Sequence, residues 1–149
     1  MKDYIECIIS VNAIMIYNNE ILLQRVVKKS NKIWLPWWKI NIWESFEKAL
    51  EREIFEETWV KGDLYNFERV AILHDNPNTT CKHIYVLNLK DKFDKFNFND
   101  TEISTCFWVK LNEIPDDINL YRKPWVYSVI QDYKRWFFDN KNKLYTLDK

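Results

Sequence analysis

The sequence predicts an α/β domain, an α+β or α/β/α sandwich in which strands frame one helix in the middle of the chain and one at its end. Three observations carry this reading. Short β-branched and apolar runs recur between turn signals from Ile5 to Val109. Ser45 to Thr58 is a run of strong helix formers without Gly or Pro. Pro124 to Asn140 is a second helical stretch with proline near its start. At 149 residues the chain reads as one domain, residues 1–149, able to bury about two-thirds of its unfolded surface around a single core.

In chain order, Ile5 to Tyr17 and Glu20 to Val27 are apolar runs separated by Asn18-Asn19, the pattern of a hairpin. Lys28 to Lys32 is a polar loop, and Ile33 to Leu35 is a short apolar piece that Pro36 terminates. Ser45 is placed to cap the helix that follows it. Tyr65 to Leu73 and His83 to Leu89 are two further strands joined through Asp75-Asn76-Pro77-Asn78. Cys106 to Val109 is the last strand, Asn112 to Asp117 a turn region, and the helix near 124–140 closes the chain. Lys90 to Asp100 interleaves charge with Phe93, Phe96 and Phe98, but its lysines are offset by aspartates, so it reads as a loop or edge rather than a base-stacking surface.

Composition narrows the function classes. Lys+Arg and Asp+Glu both number 22, giving a formal net charge of zero, which disfavours a general nucleic-acid or anionic-membrane binder. An anionic substrate must then be held locally. Cys7, Cys81 and Cys106 are far apart and form no Cys-x-x-Cys pair, which argues against a disulfide framework and a zinc site. The start Met-Lys-Asp-Tyr-Ile-Glu has no signal-peptide core, and no apolar run approaches the ~18 residues of a membrane span, so a soluble cytoplasmic protein is expected. His74 and His83 are expected to be structural or exposed rather than catalytic.

The acids of the middle helix stand out by direction. With Glu53 at zero and about 100° per residue, Glu56 falls near 300° and Glu57 near 40°. Phe46, Ala49, Leu50 and Ile54 fall in or beside the same sector, whereas Lys48, Glu51 and Phe55 lie on the other side. The three carboxylates are thus expected on the buried edge of the helix. Clustered carboxylates raise one another's pKa unless a cation neutralises them, and an all-oxygen donor set suits a hard divalent ion, Mg²⁺ or Mn²⁺.

Residues 38–60 place Glu44, then Arg52-Glu53, then Glu56-Glu57 at the spacings of the Nudix box, whose form is Gly-x5-Glu-x7-Arg-Glu-aliphatic-x-Glu-Glu-x-Gly-aliphatic. Every charged and aliphatic position of that motif matches. The preceding Trp34-Leu35-Pro36-Trp37-Trp38 is similar to the family's Trp-x-Leu-Pro-Gly-Gly approach. The resemblance implies a Nudix-like α/β/α sandwich with a mixed central sheet, a catalytic helix near 45–58, and metal-dependent hydrolysis of a pyrophosphate bond in a nucleoside diphosphate linked to a variable group. It implies Glu56 and Glu57 as principal metal ligands, Glu53 as a further ligand or the general base, and Arg52 with Glu44 as an orienting ion pair. A backbone carbonyl near Trp37-Trp38 would add a ligand, with Trp37 the nearer, and Glu102, in a Glu-x5-Trp-Val pattern with Trp108, is the candidate distant acid. Trp37, Trp38 and Arg25 are the candidate substrate contacts. The implied partner is a small nucleotide diphosphate derivative, with no membrane, nucleic acid disfavoured and a homodimer left open.

The motif's glycines are tryptophan. An ordinary domain is about 7% glycine, yet Gly62 is the only one here, against 8 tryptophans. Trp37, Trp38, Trp43 and Trp59 occupy places where a close backbone approach, a turn or a left-handed helix end asks for glycine. Two explanations follow. UGA codons of a lineage that reads UGA as glycine have been rendered as tryptophan, in which case glycine at the four positions restores activity and raises stability. Alternatively, the chain is a catalytically silent Nudix-like nucleotide-binding module. Trp34 and Trp108 match tryptophans of the family.

Overall fold

In the computed structural model, residues 8–26, 28, 31–41, 43–58, 65–75, 80–92 and 103–147 are described, with the backbone alone described at 58, 65–75, 80, 103–104 and 141–147. Strand β1 (Ile8–Tyr17) turns into β2 (Glu20–Val26) through Asn18 and Asn19. Their φ values of 44° and 68° are the doubly left-handed pattern of a tight hairpin turn, which asparagine tolerates better than most residues.

The hairpin is paired only near its turn, at Ile16↔Ile21 and Tyr17↔Glu20, and then opens. A wedge fills the opening: β3 (Lys32–Trp34) pairs with β2, β4 (Trp37–Lys39) pairs with β1, and between them the Ala13 N–H donates to the Pro36 carbonyl at 2.9 Å. On the far edge of β1, β6 (Thr80–Leu89) runs parallel, with β5 (Tyr65–Asp75) antiparallel outside it. On the far edge of β2, β7 (Ile103–Lys110) runs antiparallel. The result is a mixed seven-stranded sheet.

Side chains alternate across a strand, and the core divides accordingly. Val11, Ala13 and Met15 of β1, Leu22 of β2 and Tyr85 and Leu87 of β6 face α1 (Phe46–Thr58), which buries Leu50 and Ile54 against them. Ile14, Ile16, Ile21, Leu23, Ile84 and Val86 face the other way, onto α2 (Pro124–Leu147), which contributes Val126, Ile130 and Tyr133. The α/β/α sandwich expected from the sequence is the observed fold. No helix among the described residues is long and apolar enough to cross a membrane, and neither Cys81 nor Cys106 is in a disulfide; Cys7 lies outside the described residues.

Three local features differ from expectation. Regular structure resumes after Pro36 as β4, a strand the sequence does not announce because only the opened hairpin supplies its partner. Helix α2 runs on to Leu147. The backbone at Trp37, Trp38 and Trp43 is not left-handed, since the positive-φ residues among those described are Asn18, Asn19 and Asn31. The conformational demand for glycine is therefore absent at those three positions; Trp59 lies outside the described residues.

Candidate active site

Asn41 and Glu44 close a turn on each other: the Glu44 N–H donates to the Asn41 carbonyl at 3.2 Å, and the Asn41 N–H donates to Glu44 Oε1 at 2.9 Å. Helix α1 begins immediately after. Ser45 accepts from the Lys48 N–H through Oγ at 3.2 Å, and its carbonyl takes the first helical hydrogen bond from Ala49, the N-cap arrangement expected from the sequence. Ala49, Leu50 and Ile54 are fully buried, while Lys48, Glu51 and Phe55 face solvent, as the helical phase predicts.

Arg52 reads back across this turn. Its Nε donates to Glu44 Oε2 at 3.0 Å and its Nη2 to Oε1 at 2.6 Å, a two-pronged guanidinium–carboxylate fork. Its third nitrogen, Nη1, reaches Glu53 Oε1 at 2.9 Å and Glu56 Oε2 at 3.5 Å. The fork and the Asn41 N–H hold the Glu44 carboxyl down at about 2, and Glu44 in turn holds the Arg52 guanidinium well above its ordinary value. Glu53 moves the other way: burial pushes its carboxyl up, with the hydrogen bond from Arg52 opposing.

The structure therefore brings together Glu44, Arg52, Glu53 and Glu56. Glu57, half-buried, turns toward β7, where its charge acts on the Cys106 thiol; burial is the main reason that thiol is pushed up to about 12, and Gln24 hydrogen-bonds it. Glu56 departs from expectation: its side chain is 56% exposed, against 20% for Glu53, because its angle puts it past the edge of the docking face. Among the described residues no three His, Cys, Asp or Glu side chains converge tightly enough to hold an ion as they stand; Arg52 lies between Glu44, Glu53 and Glu56. Glu102 lies outside the described residues.

The predicted substrate contacts divide between the two layers. Trp38 packs into the α1-side core and is 6% exposed, while Trp37 packs half-buried on the α2 side. Alternation along β4 sends the two indoles to opposite layers, so they do not face one common space. Arg25 stacks over Phe107 at 4.6 Å and donates to the Asn31 carbonyl at 3.3 Å, on the α2 side and away from the helix acids. Asn41 and Gln24 were not anticipated. The first acts through its backbone N–H, which no residue-type pattern marks, and the second is an isolated glutamine in an apolar strand.

A NUDIX domain model matches residues 8–129. The chain belongs to the Nudix family. No curated protein sequence matches it significantly, whereas solved structures do. The Nudix fold here is similar to a NUDIX hydrolase from Nitrosomonas europaea, with TM-score 0.70 and 18% identity over 89% of this chain and 72% of that one. It is also similar to a C. elegans Ap4A hydrolase, with TM-score 0.64 and 12% identity over 89% and 98%. A third is a bifunctional NMN adenylyltransferase/ADP ribose pyrophosphatase from Francisella tularensis, complexed with AMP and a Mn ion, with TM-score 0.64 and 19% identity over 87% and 42%. At these identities the likeness is one of fold, and within that fold the Nudix box of this chain forms the Glu44–Arg52–Glu53 assembly.

The assembly makes two testable demands. Removing Glu44 or Arg52 should lower both stability and metal affinity, and the double change should cost less than the two singles summed, with a coupling of about 0.5–3 kcal/mol; strict additivity in a denaturation cycle would show that the fork does no orienting. The pH dependence follows from the sign of the Glu44 shift. Its folded-state value near 2 is below the ordinary 4.5, so the stabilisation is complete above that ordinary value and is lost as pH falls from it toward 2. Over that window the melting temperature of the parent should fall more steeply than that of Glu44→Gln.

Proposed function

We propose that the chain is a Mg²⁺- or Mn²⁺-dependent pyrophosphohydrolase that cleaves a pyrophosphate bond in a nucleoside diphosphate linked to a variable group. The single supporting observation is the Arg52 guanidinium held by Glu44 while it touches Glu53 and Glu56, because this fixes the helix that carries the acids of the Nudix box.

The donor chemistry, all carboxylate and carbonyl oxygen, suits a hard divalent ion, which would have to draw together side chains that do not converge as they stand. Glu53, Glu56 and Glu57 supply carboxylate oxygens from positions i, i+3 and i+4 of one helix, and the backbone carbonyl near Trp37-Trp38 and Glu102 are the proposed additional ligands. When bound, the ion supplies charge neutralisation at adjacent phosphates and a more acidic water. Glu53, where it does not serve as a ligand, would take the attacking water's proton: Arg52 tethers its Oε1 and burial raises its carboxyl, which leaves Oε2 to receive the proton. Water oxygen bonds to one phosphorus, the bridging P–O bond breaks, and two phosphate-terminated products result. Arg52 and Glu44 act by orientation, as groups behind the ligands commonly do.

The test is turnover on a panel of nucleoside triphosphates, ADP-ribose, nucleotide sugars and dinucleoside polyphosphates, with and without Mg²⁺. Calcium should bind yet support little reaction, because its looser coordination fixes the attacking water poorly. Binding without turnover under every metal would favour the second reading, a catalytically silent nucleotide-binding module. One observation supports that reading: Trp38 fills the core on ordinary extended backbone, as a genuine residue would. Salt-sensitive RNA affinity would instead point to a nucleic-acid-acting Nudix protein.

The reassignment of UGA to glycine draws support from Trp43, which is 96% exposed and so gives its indole no packing role. Reading the codons decides it. UGA at 37, 38, 43 and 59 with UGG at 34 and 108 supports reassignment; UGG throughout eliminates it and favours the binding module.

A further inference from the structure

We propose that Asn12, backed by Ser10, reads a keto base of the substrate nucleotide, one presenting a ring N–H beside a carbonyl, on the α2 side of the sheet, and that the Trp37 indole covers this position and controls entry to it. The proposal deepens the nucleotide-hydrolase reading and rests on it for the identity of the ligand.

Asn12 and Ser10 are 1% and 2% exposed, and among the described residues neither atom of the Asn12 amide nor the Ser10 hydroxyl has a hydrogen-bond partner. A buried amide with both ends unsatisfied is strongly disfavoured unless something else pays for it or completes it. Both residues share the face of β1 that carries Ile14 and Ile16, so they lie beneath α2 rather than α1. Two further groups are gathered on the same side: the indole N–H groups of Trp34 and Trp125 are buried without partners among the described residues, and the two rings meet edge to face at 5.2 Å. The Lys82 ammonium, on the residue opposite Ser10 in β6, lies 5.3 Å from the Trp125 ring. The start of α2 is pinned here, because the Arg122 N–H donates to the Ile33 carbonyl at 3.0 Å.

The chemistry of these groups selects a ligand. Two indole N–H groups only donate, and the hydroxyl and the amide do both. Donors therefore prevail, and the complement is a planar group that turns carbonyl acceptors toward them and offers one N–H to Asn12 Oδ1. Guanine, hypoxanthine and uracil turn a carbonyl toward these donors, whereas adenine and cytosine, which a rotated amide could also pair, bring an amino group against them. Aromatic walls suit a flat ring.

Trp37 explains why the position is closed. It is the residue directly opposite Asn12 in β4, so its side chain stands on the same face a few ångströms away, half-buried against the α2-side core. Glycine at 37 would remove the cover without touching Asn12. Since β4 leads straight into the Asn41–Glu44 turn, a base seated here is on the strand that feeds the catalytic helix.

The test is calorimetric binding of GMP, UMP, AMP and CMP without metal to the parent chain, to Trp37→Gly, and to Trp37→Gly combined with Asn12→Leu, with thermal melts confirming that each is folded. Trp37→Ala replaces Trp37→Gly if the latter does not fold. The expected result is weak binding by the parent, at least tenfold tighter binding of GMP and UMP than of AMP and CMP once residue 37 is small, and loss of that preference with Asn12→Leu. Equal affinity for the four nucleotides in a folded residue-37 variant, or a preference that survives Asn12→Leu, overturns the proposal. The two readings fail separately: keto-base binding without metal-dependent turnover overturns only the hydrolase reading, and turnover indifferent to base overturns only this one.

Discussion

Replacing Glu56 or Glu57 by glutamine is expected to lower turnover by more than the ~10–100-fold that loss of a group behind a metal ligand typically causes, while the melting temperature changes little. Each substitution removes the charge of a proposed metal ligand and keeps the side-chain volume. Glu56 is more than half exposed and touches Arg52 only at 3.5 Å, so its loss leaves the Glu44 fork intact and opens no cavity. Glu57 is half-buried, and glutamine is close to isosteric there. The measurement is kcat at saturating Mg²⁺, made in the parent and in a Trp37→Gly background, beside metal affinity by titration with Mn²⁺. Near-normal turnover in both variants would dismiss the assigned site.

The second large effect concerns the tryptophans. Trp37→Gly, Trp38→Gly, Trp43→Gly and Trp59→Gly together are expected to raise turnover well above the parent, with position 37 carrying most of the gain. The effect on stability differs by position. Trp43 is almost wholly exposed, so its replacement should be nearly neutral. Trp59 is expected to act mainly through thermal stability, with about 1 kcal/mol gained if its backbone is left-handed. Trp38 reverses the stabilisation expected from sequence: its indole is part of the α1-side core, and losing a buried aromatic of that size costs about 3–5 kcal/mol. Single-variant melts check this directly. A Trp38→Gly chain as stable as the parent would show that the core closes without the indole, as it must if glycine is the native residue.

Much of the fold was legible because local and global signals agree. Asn18-Asn19 supplies the two left-handed residues that a tight hairpin needs, Ser45 caps α1, and the phase of Ala49, Leu50 and Ile54 sets which side of α1 docks. What escaped was set by partners distant in sequence. The strand at Trp37–Lys39 exists because β1 and β2 part after two residue pairs, and nothing within those three residues signals it. The candidate site could be picked out by spacing, but its geometry could not. Spacing placed Glu53, Glu56 and Glu57 on one sector, yet about 60° around the helix separates the exposed Glu56 from Glu53, which is drawn inward. The buried Asn12 and Ser10 were hidden in an apolar strand, where their neighbours' hydrophobicity masks them.

The wedge in the opened hairpin also governs where the chain can change length. Trp37 faces one layer and Trp38 the other, so one residue inserted between Trp34 and Trp37 would exchange those faces. The side chain over Asn12 would be sent into the α1-side core, and the core residue would be expelled. Insertion of two would keep the faces but displace the Pro36 carbonyl from the Ala13 N–H. Positions 28–31, ahead of the wedge, face no such parity rule. Length differences among related chains should therefore accumulate there, leaving the step from Trp34 to Trp38 fixed even where its residues vary.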